Sequence, residues 1–127
     1  MHGRDLQART KQFALRVLRL CAALPRTIAS RIIAHQLGRA GTSVGANYRA
    51  VCRARSRADS VHQLGVVEEQ ADERCFGLEL VVEGPFARAP RRVAPLLQEA
   101  NEILSTIVAS RITAKRRTHA ESAIGDR

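Results

Sequence analysis

Residues 37–54 read Leu37-Gly38-Arg39-Ala40-Gly41-Thr42-Ser43-Val44-Gly45-Ala46-Asn47-Tyr48-Arg49-Ala50-Val51-Cys52-Arg53-Ala54. Ala40, Ser43, Asn47, Ala50 and Ala54 recur at steps of three and four, so they share one stripe of a helix. Leu37, Val44, Tyr48 and Val51 form an apolar stripe beside it. Gly38, Gly41 and Gly45 each cost roughly 1 kcal/mol relative to Ala in a helix interior. Three such costs in one helix imply that a neighbouring backbone approaches closely. Asn47 needs hydrogen-bond partners if its stripe is buried. The stretch reads as the structural centre of an α-helical bundle.

Working outward, the flanking segments are helical too. A first helix spans about Leu6 to Leu24, with Phe13, Val17, Leu20, Cys21 and Leu24 on one face, and Pro25 closes it. The second runs from Thr27 to Arg55, and Ile28, Ile32, Ile33 and Leu37 open its apolar face. Ser56 is placed to cap a third helix, with Asp59 three residues on. In that helix Leu64, Val67, Ala71, Cys75, Leu78 and Val82 step by three and four until Gly84-Pro85 stops it. Phe86 to Arg92 reads as a loop. A fourth helix starts near Val93, with Pro95 in its first turn and Leu96, Leu97, Ala100, Ile103, Leu104, Ile107, Val108 and Ile112 on a broad apolar face. Residues 1–114 therefore predict an all-α, antiparallel up-down-up-down four-helix bundle. Residues 115–127 predict a basic, disordered tail. The apolar and small surface on the last three helices exceeds what one core needs, which predicts self-association.

Composition agrees. The 127 residues suffice for one domain with a modest core, and 45% hydrophobic with 26% charged residues describe a folded chain. Aromatics are few (Phe13, Tyr48, Phe76, Phe86) and Trp is absent, so Leu, Ile, Val and Ala build the core. No uncharged apolar run of 18 residues exists, so neither a membrane span nor membrane partnership is expected. Arg16 and Arg19 break the faint signal-like run of Phe13–Leu24, and a cytoplasmic location is expected. Cys21, Cys52 and Cys75 are odd in number and sit at apolar helix positions, as core thiols do.

The net charge of +9 is uneven: +10 over residues 1–60, −5 over 61–83 and +4 over 84–127. This asymmetry suits a polyanion partner or attraction between unlike faces of neighbouring subunits.

From Gln36-Leu37, through Thr42-Ser43 and the small-residue run Ala46-Asn47, to Arg49, Ser56 and Glu73, the order and spacing resemble the 23S rRNA intervening-sequence protein family of four-helix-bundle proteins. The likeness takes in Arg9-Thr10-Lys11-Gln12-Phe13 and the last helix, roughly residues 6–113. Phe76-Gly77 stands where many members carry an aromatic pair, and Arg49 where many carry Glu. The resemblance implies a ring-like homopentamer without enzyme activity. A similar fold serves as the accessory protein of diversity-generating retroelements, which binds reverse transcriptase and RNA.

The sequence offers three candidate sites. Arg49, Arg53 and Arg57 fall at four-residue steps with Arg55 close by, and Arg9, Arg16 and Arg19 extend from the first helix. Bidentate guanidinium groups suit phosphate, so these seven arginines are candidates for binding an RNA or DNA backbone. The alternatives are a solvated face paired with the acidic third helix, or a protein–protein scaffold docking an unlike protein. Few aromatics argue against base stacking. Ser43, Asn47 and Glu73 form a second candidate, best read as a buried polar cluster that sets register. The third is catalytic or metal chemistry. Asp59-x-x-His62 followed by Glu69 and Glu73 supplies only one approximate ligand motif, whereas a di-iron bundle needs two. No nucleophile elbow, phosphate loop or zinc spacing is present. No metal, cofactor or enzyme activity is expected. Membrane-surface binding by helix one or by Arg111–Arg117 is disfavoured, because their apolar residues are needed in the core.

Overall fold

The computed structural model describes residues 3–84 and 90–125, with side chains described for 5–84 and 93–120. The described chain forms α1 (Gly3–Ala23), α2 (Ile28–Val51), α3 (Arg57–Glu83) and α4 (Pro90–Gly125), with no strand among the described residues. They build the expected antiparallel up-down-up-down bundle. α2 packs between α1 and α3, and α3 between α2 and α4; α1 meets α4 along a much thinner seam. Among the described residues, the diagonal pairs α1/α3 and α2/α4 make no close backbone approach. No described helix is long and apolar enough to cross a membrane.

Caps set the helix starts. Thr27 accepts a bond from the Ser30 N–H at the head of α2, and Ser56 accepts one from the Asp59 N–H at 3.1 Å, as its spacing predicted. α2 stops at Val51, four residues earlier than expected, because Arg53 and Ala54 turn back to carbonyls three residues behind them. Arg53 and Arg55 consequently lie in the α2–α3 turn, and the four-residue ladder from Arg49 to Arg57 is broken across it.

Close approach occurs at two glycines. A Cβ on Gly41 would stand 2.9 Å from Val17 Cγ1, which fixes the α1/α2 spacing. One on Gly77 would fall 2.6 Å from Leu37 Cδ2, so α3 packs closely on α2 at the Phe76-Gly77 pair. Gly38 and Gly45 have ordinary room.

The core is aliphatic, as composition predicted: Leu6, Val17, Leu37, Val44, Val67, Leu78, Ile103 and Ile107 are all buried around Phe13. Four expectations need correction. Ile28 and Ile32 are 82% and 55% exposed, because α2 turns Ser30, Ile33 and Leu37 inward in their place. Cys52 caps α2 in the open, while Cys75 is buried and Cys21 half-buried. α4 begins at Pro90, which puts Pro95 inside the helix. Residues 115–125, expected to be a disordered tail, continue α4, since Ala, Lys and Arg are strong helix formers and no Gly intervenes before Gly125. Most of the expected Phe86–Arg92 loop lies outside the described residues.

Candidate nucleic-acid interface

The up-down topology brings the end of α2, the start of α3 and the end of α4 to one end of the bundle. The last fully buried residue on α4 is Ile107, and the first on α3 is Leu64. α4 continues 18 residues past its mark, whereas α3 begins 7 before its own. Arg111 of α4 pairs with Glu68 of α3, so Lys115–Arg117, four to six residues past Arg111, run beside the first turns of α3. Ala114 is the last α4 residue packed against the core, and Lys115, Arg116 and Arg117 beyond it are exposed.

Arg49 in the last turn of α2, Arg53 and Arg55 in the turn, and Arg57 at the head of α3 are exposed at this same end. Among the described residues no acidic side chain pairs with Arg49, Arg53, Arg55, Lys115, Arg116 or Arg117. Unpaired guanidinium and ammonium groups in water form a long-range attractive field for phosphate.

The first helix does not join them. Arg9 is held by α4: its Nε bonds Glu99, and its Nη2 lies 2.7 Å from Glu102. The hydrogen bond to Glu99 raises the Arg9 pKa further. Arg16 is half-buried and Arg19 exposed, but Arg19 sits ten residues, about 15 Å, along α1 from Arg9. The α1 arginines of the expected seven are therefore either engaged or displaced from the basic end. A partner 90 residues away in sequence could not be read without knowing the helix register.

The Ser43–Asn47–Glu73 cluster does not form. Ser43 Oγ donates to the Arg39 carbonyl one turn back, Asn47 Nδ2 donates to Gln70 Oε1 at 2.7 Å, and Glu73 is exposed. The Asn47–Gln70 bond does link α2 to α3, which is the register role foreseen for Asn47 with a different partner. Beside it runs an open groove of about 640 Å³, lined by Gln36, Arg39, Ser43, Glu69, Glu73 and the 62%-exposed Phe76 among others.

One charged residue is hidden from a reading by residue type. Arg74 of α3 is 0% exposed, and among the described residues its Nε, Nη1 and Nη2 have no hydrogen-bond partner. Its guanidinium lies 3.9 Å over the Phe13 ring of α1, spanning the diagonal of the bundle. Burial pulls its pKa down to about 10, against a smaller upward influence from Cys75 and Glu99. The signal was present, because position 74 falls within the three-and-four spacing of α3; its charge concealed it. Asp59 and His62 are exposed, and among the described residues no three His, Cys, Asp or Glu side chains gather as metal ligands.

These features define an all-α four-helix bundle with a cluster of exposed cations at one end. A crystal structure from the S23 ribosomal protein family of Bacteroides thetaiotaomicron, a protein of unknown function, superposes with a TM-score of 0.77 at 26% sequence identity. The match covers 87% of this chain and 98% of that one. No family model and no curated protein matches the sequence.

Proposed function

We propose that the protein is a non-catalytic, oligomeric helical-bundle adaptor that binds the phosphate backbone of RNA or DNA through its basic end. The observation that carries this reading is the gathering of exposed, unpaired Arg49, Arg53 and Arg55 at one end of a chain of net charge +9. Arg9, Arg16 and Arg19 are left out of the proposed interface. The likeness to an S23 family structure supports the bundle fold; the cytoplasmic ring-like homopentamer is proposed from the resemblance to 23S rRNA intervening-sequence proteins alone. The exposed apolar side chains of Ile28, Ile32 and Phe76 favour such self-association. Light scattering would then give a mass five times 13.9 kDa, and a monomer would refute the ring.

The test of binding is fluorescence anisotropy with labelled RNA and DNA across a salt series, for the wild type and an Arg49→Ala/Arg53→Ala/Arg55→Ala variant. Affinity should fall by orders of magnitude between about 50 and 200 mM salt and vanish in the variant. Failure to bind at low salt refutes the reading. A second reading, a scaffold for an unlike protein, is favoured by the α2/α3 groove, where exposed Phe76 lies between Glu69, Glu73 and Arg39. In that case the protein captures one defined protein partner, and Phe76→Ala abolishes the capture.

A further inference from the structure

The extension of α4 has no packing explanation. Past Ala114 it buries no side chain among the described residues, yet it carries the exposed Lys115, Arg116 and Arg117 beside the first turns of α3, at the end where the α2–α3 turn presents Arg53 and Arg55. α2 and α4 are diagonal partners in the bundle. Helices packed 8–10 Å apart put diagonal axes about 11–14 Å apart. The basic end thus carries two separate rows of cations, one at the end of α2 and one on α4.

A single strand offers one row of phosphates, and proteins that hold it add aromatic platforms for its bases. No exposed aromatic side chain stands at this end among the described residues: Tyr48 is buried, and Phe76 faces the α2/α3 groove. A double helix offers two phosphate rows flanking a groove, about 12 Å apart across the major groove of B-form DNA. We infer that the partner of the basic end is a double helix, straddled across one groove by the α2–α3 turn and the basic segment Lys115–Arg117 of α4. This inference rests on the nucleic-acid reading above and adds the strandedness of the partner and the second half of the grip.

The test uses the full chain, labelled duplexes of about 20 base pairs of DNA and of RNA, and single strands of the same sequences. Two variants accompany it, Arg53→Gln/Arg55→Gln and Lys115→Gln/Arg116→Gln/Arg117→Gln; all five positions are exposed, and circular dichroism confirms that the helices persist. Duplex binding should exceed single-strand binding by at least about tenfold at equal salt. Each variant should weaken duplex binding and flatten its salt dependence, by about 0.9 in log–log slope for each phosphate left without a cation. The DNA and RNA arms show which groove geometry fits. If the α4 variant binds like the wild type while the turn variant does not, the two-row grip is wrong and the nucleic-acid reading survives. Single strands bound as tightly as duplexes also overturn the grip. Absence of binding to every probe at low salt overturns both.

Discussion

Replacing Arg74 with Met should stabilise this protein. The guanidinium is fully buried and makes no hydrogen bond among the described residues, and burial lowers its pKa from 12.5 to about 10. That fall of about 2.5, at about 1.4 kcal/mol per tenfold, corresponds to a desolvation cost of about 3 kcal/mol for holding the charge inside. The cation–π stacking on Phe13 at 3.9 Å returns part of it, about 1–2 kcal/mol for a desolvated cation over an aromatic face. Met keeps an unbranched, flexible apolar stem, two atoms shorter than that of Arg, and removes the charge. The balance is a gain of about 1–2 kcal/mol. Urea unfolding followed by helical circular dichroism measures it as a higher midpoint with an unchanged slope, and the melting temperature should rise by about 3–6 °C. Should Arg74→Met lose about 1 kcal/mol or more, the guanidinium is satisfied in solution by a group that compensates its burial, and the reasoning fails.

Three further outcomes follow from single positions. Tyr48 is the sole tyrosine and Trp is absent, so ultraviolet absorbance of the phenolate reports its ionisation alone. Burial pushes its pKa from 10.0 up to about 12, so the stability it contributes is complete below pH 10 and is lost as pH rises toward 12; the native midpoint should exceed that in urea by about 2, and equal midpoints would show an exposed phenol. A Cβ at Gly65 would meet nothing within 4 Å, so Gly65→Ala should add up to about 1 kcal/mol by helix propensity, whereas Gly41→Ala should cost about 1 kcal/mol or more by driving into Val17; chemical denaturation of both variants distinguishes local propensity from close packing. Ser56→Ala removes the acceptor for the Asp59 N–H and should cost about 1 kcal/mol by the same assay.

The parts of the fold set by local chemistry were legible in the sequence. The α3 stepping, the Ser56 cap and the need for a glycine against α1 all depend on neighbours a few residues apart or on one helix face. The misreadings arise where two faces of one helix are both apolar or where charge and spacing disagree. On α2, Ile28 and Ile32 make as good a stripe as Ile33 and Leu37, and only the positions of α1 and α3 decide which is buried. At Arg74 the residue type argued for the surface and the spacing for the core, and spacing won. Within the candidate site, the sequence pointed to Arg49, Arg53 and Arg55, whereas the pairing of Arg9 with Glu99 and Glu102 needs the register of helices at opposite ends of the chain. Lys115–Arg117 read as a tail because nothing apolar marks them, although their helix propensity is high.

The thin seam between α1 and α4 makes the bundle unequal in its cooperativity. α3 is gripped on both flanks, by α2 and by α4, while α1 leans chiefly on α2 and meets α4 along the thinner seam that carries the Arg9 ion pairs, with Phe13 stacked on Arg74 across the diagonal. Local opening should therefore begin with α1 peeling away while the other three helices stay together. Amide hydrogen exchange would record this as a ranking, with α3 protected to the global unfolding limit and α1 exchanging through a cheaper partial opening, so that the first helix behaves as a detachable stave of an otherwise solid barrel.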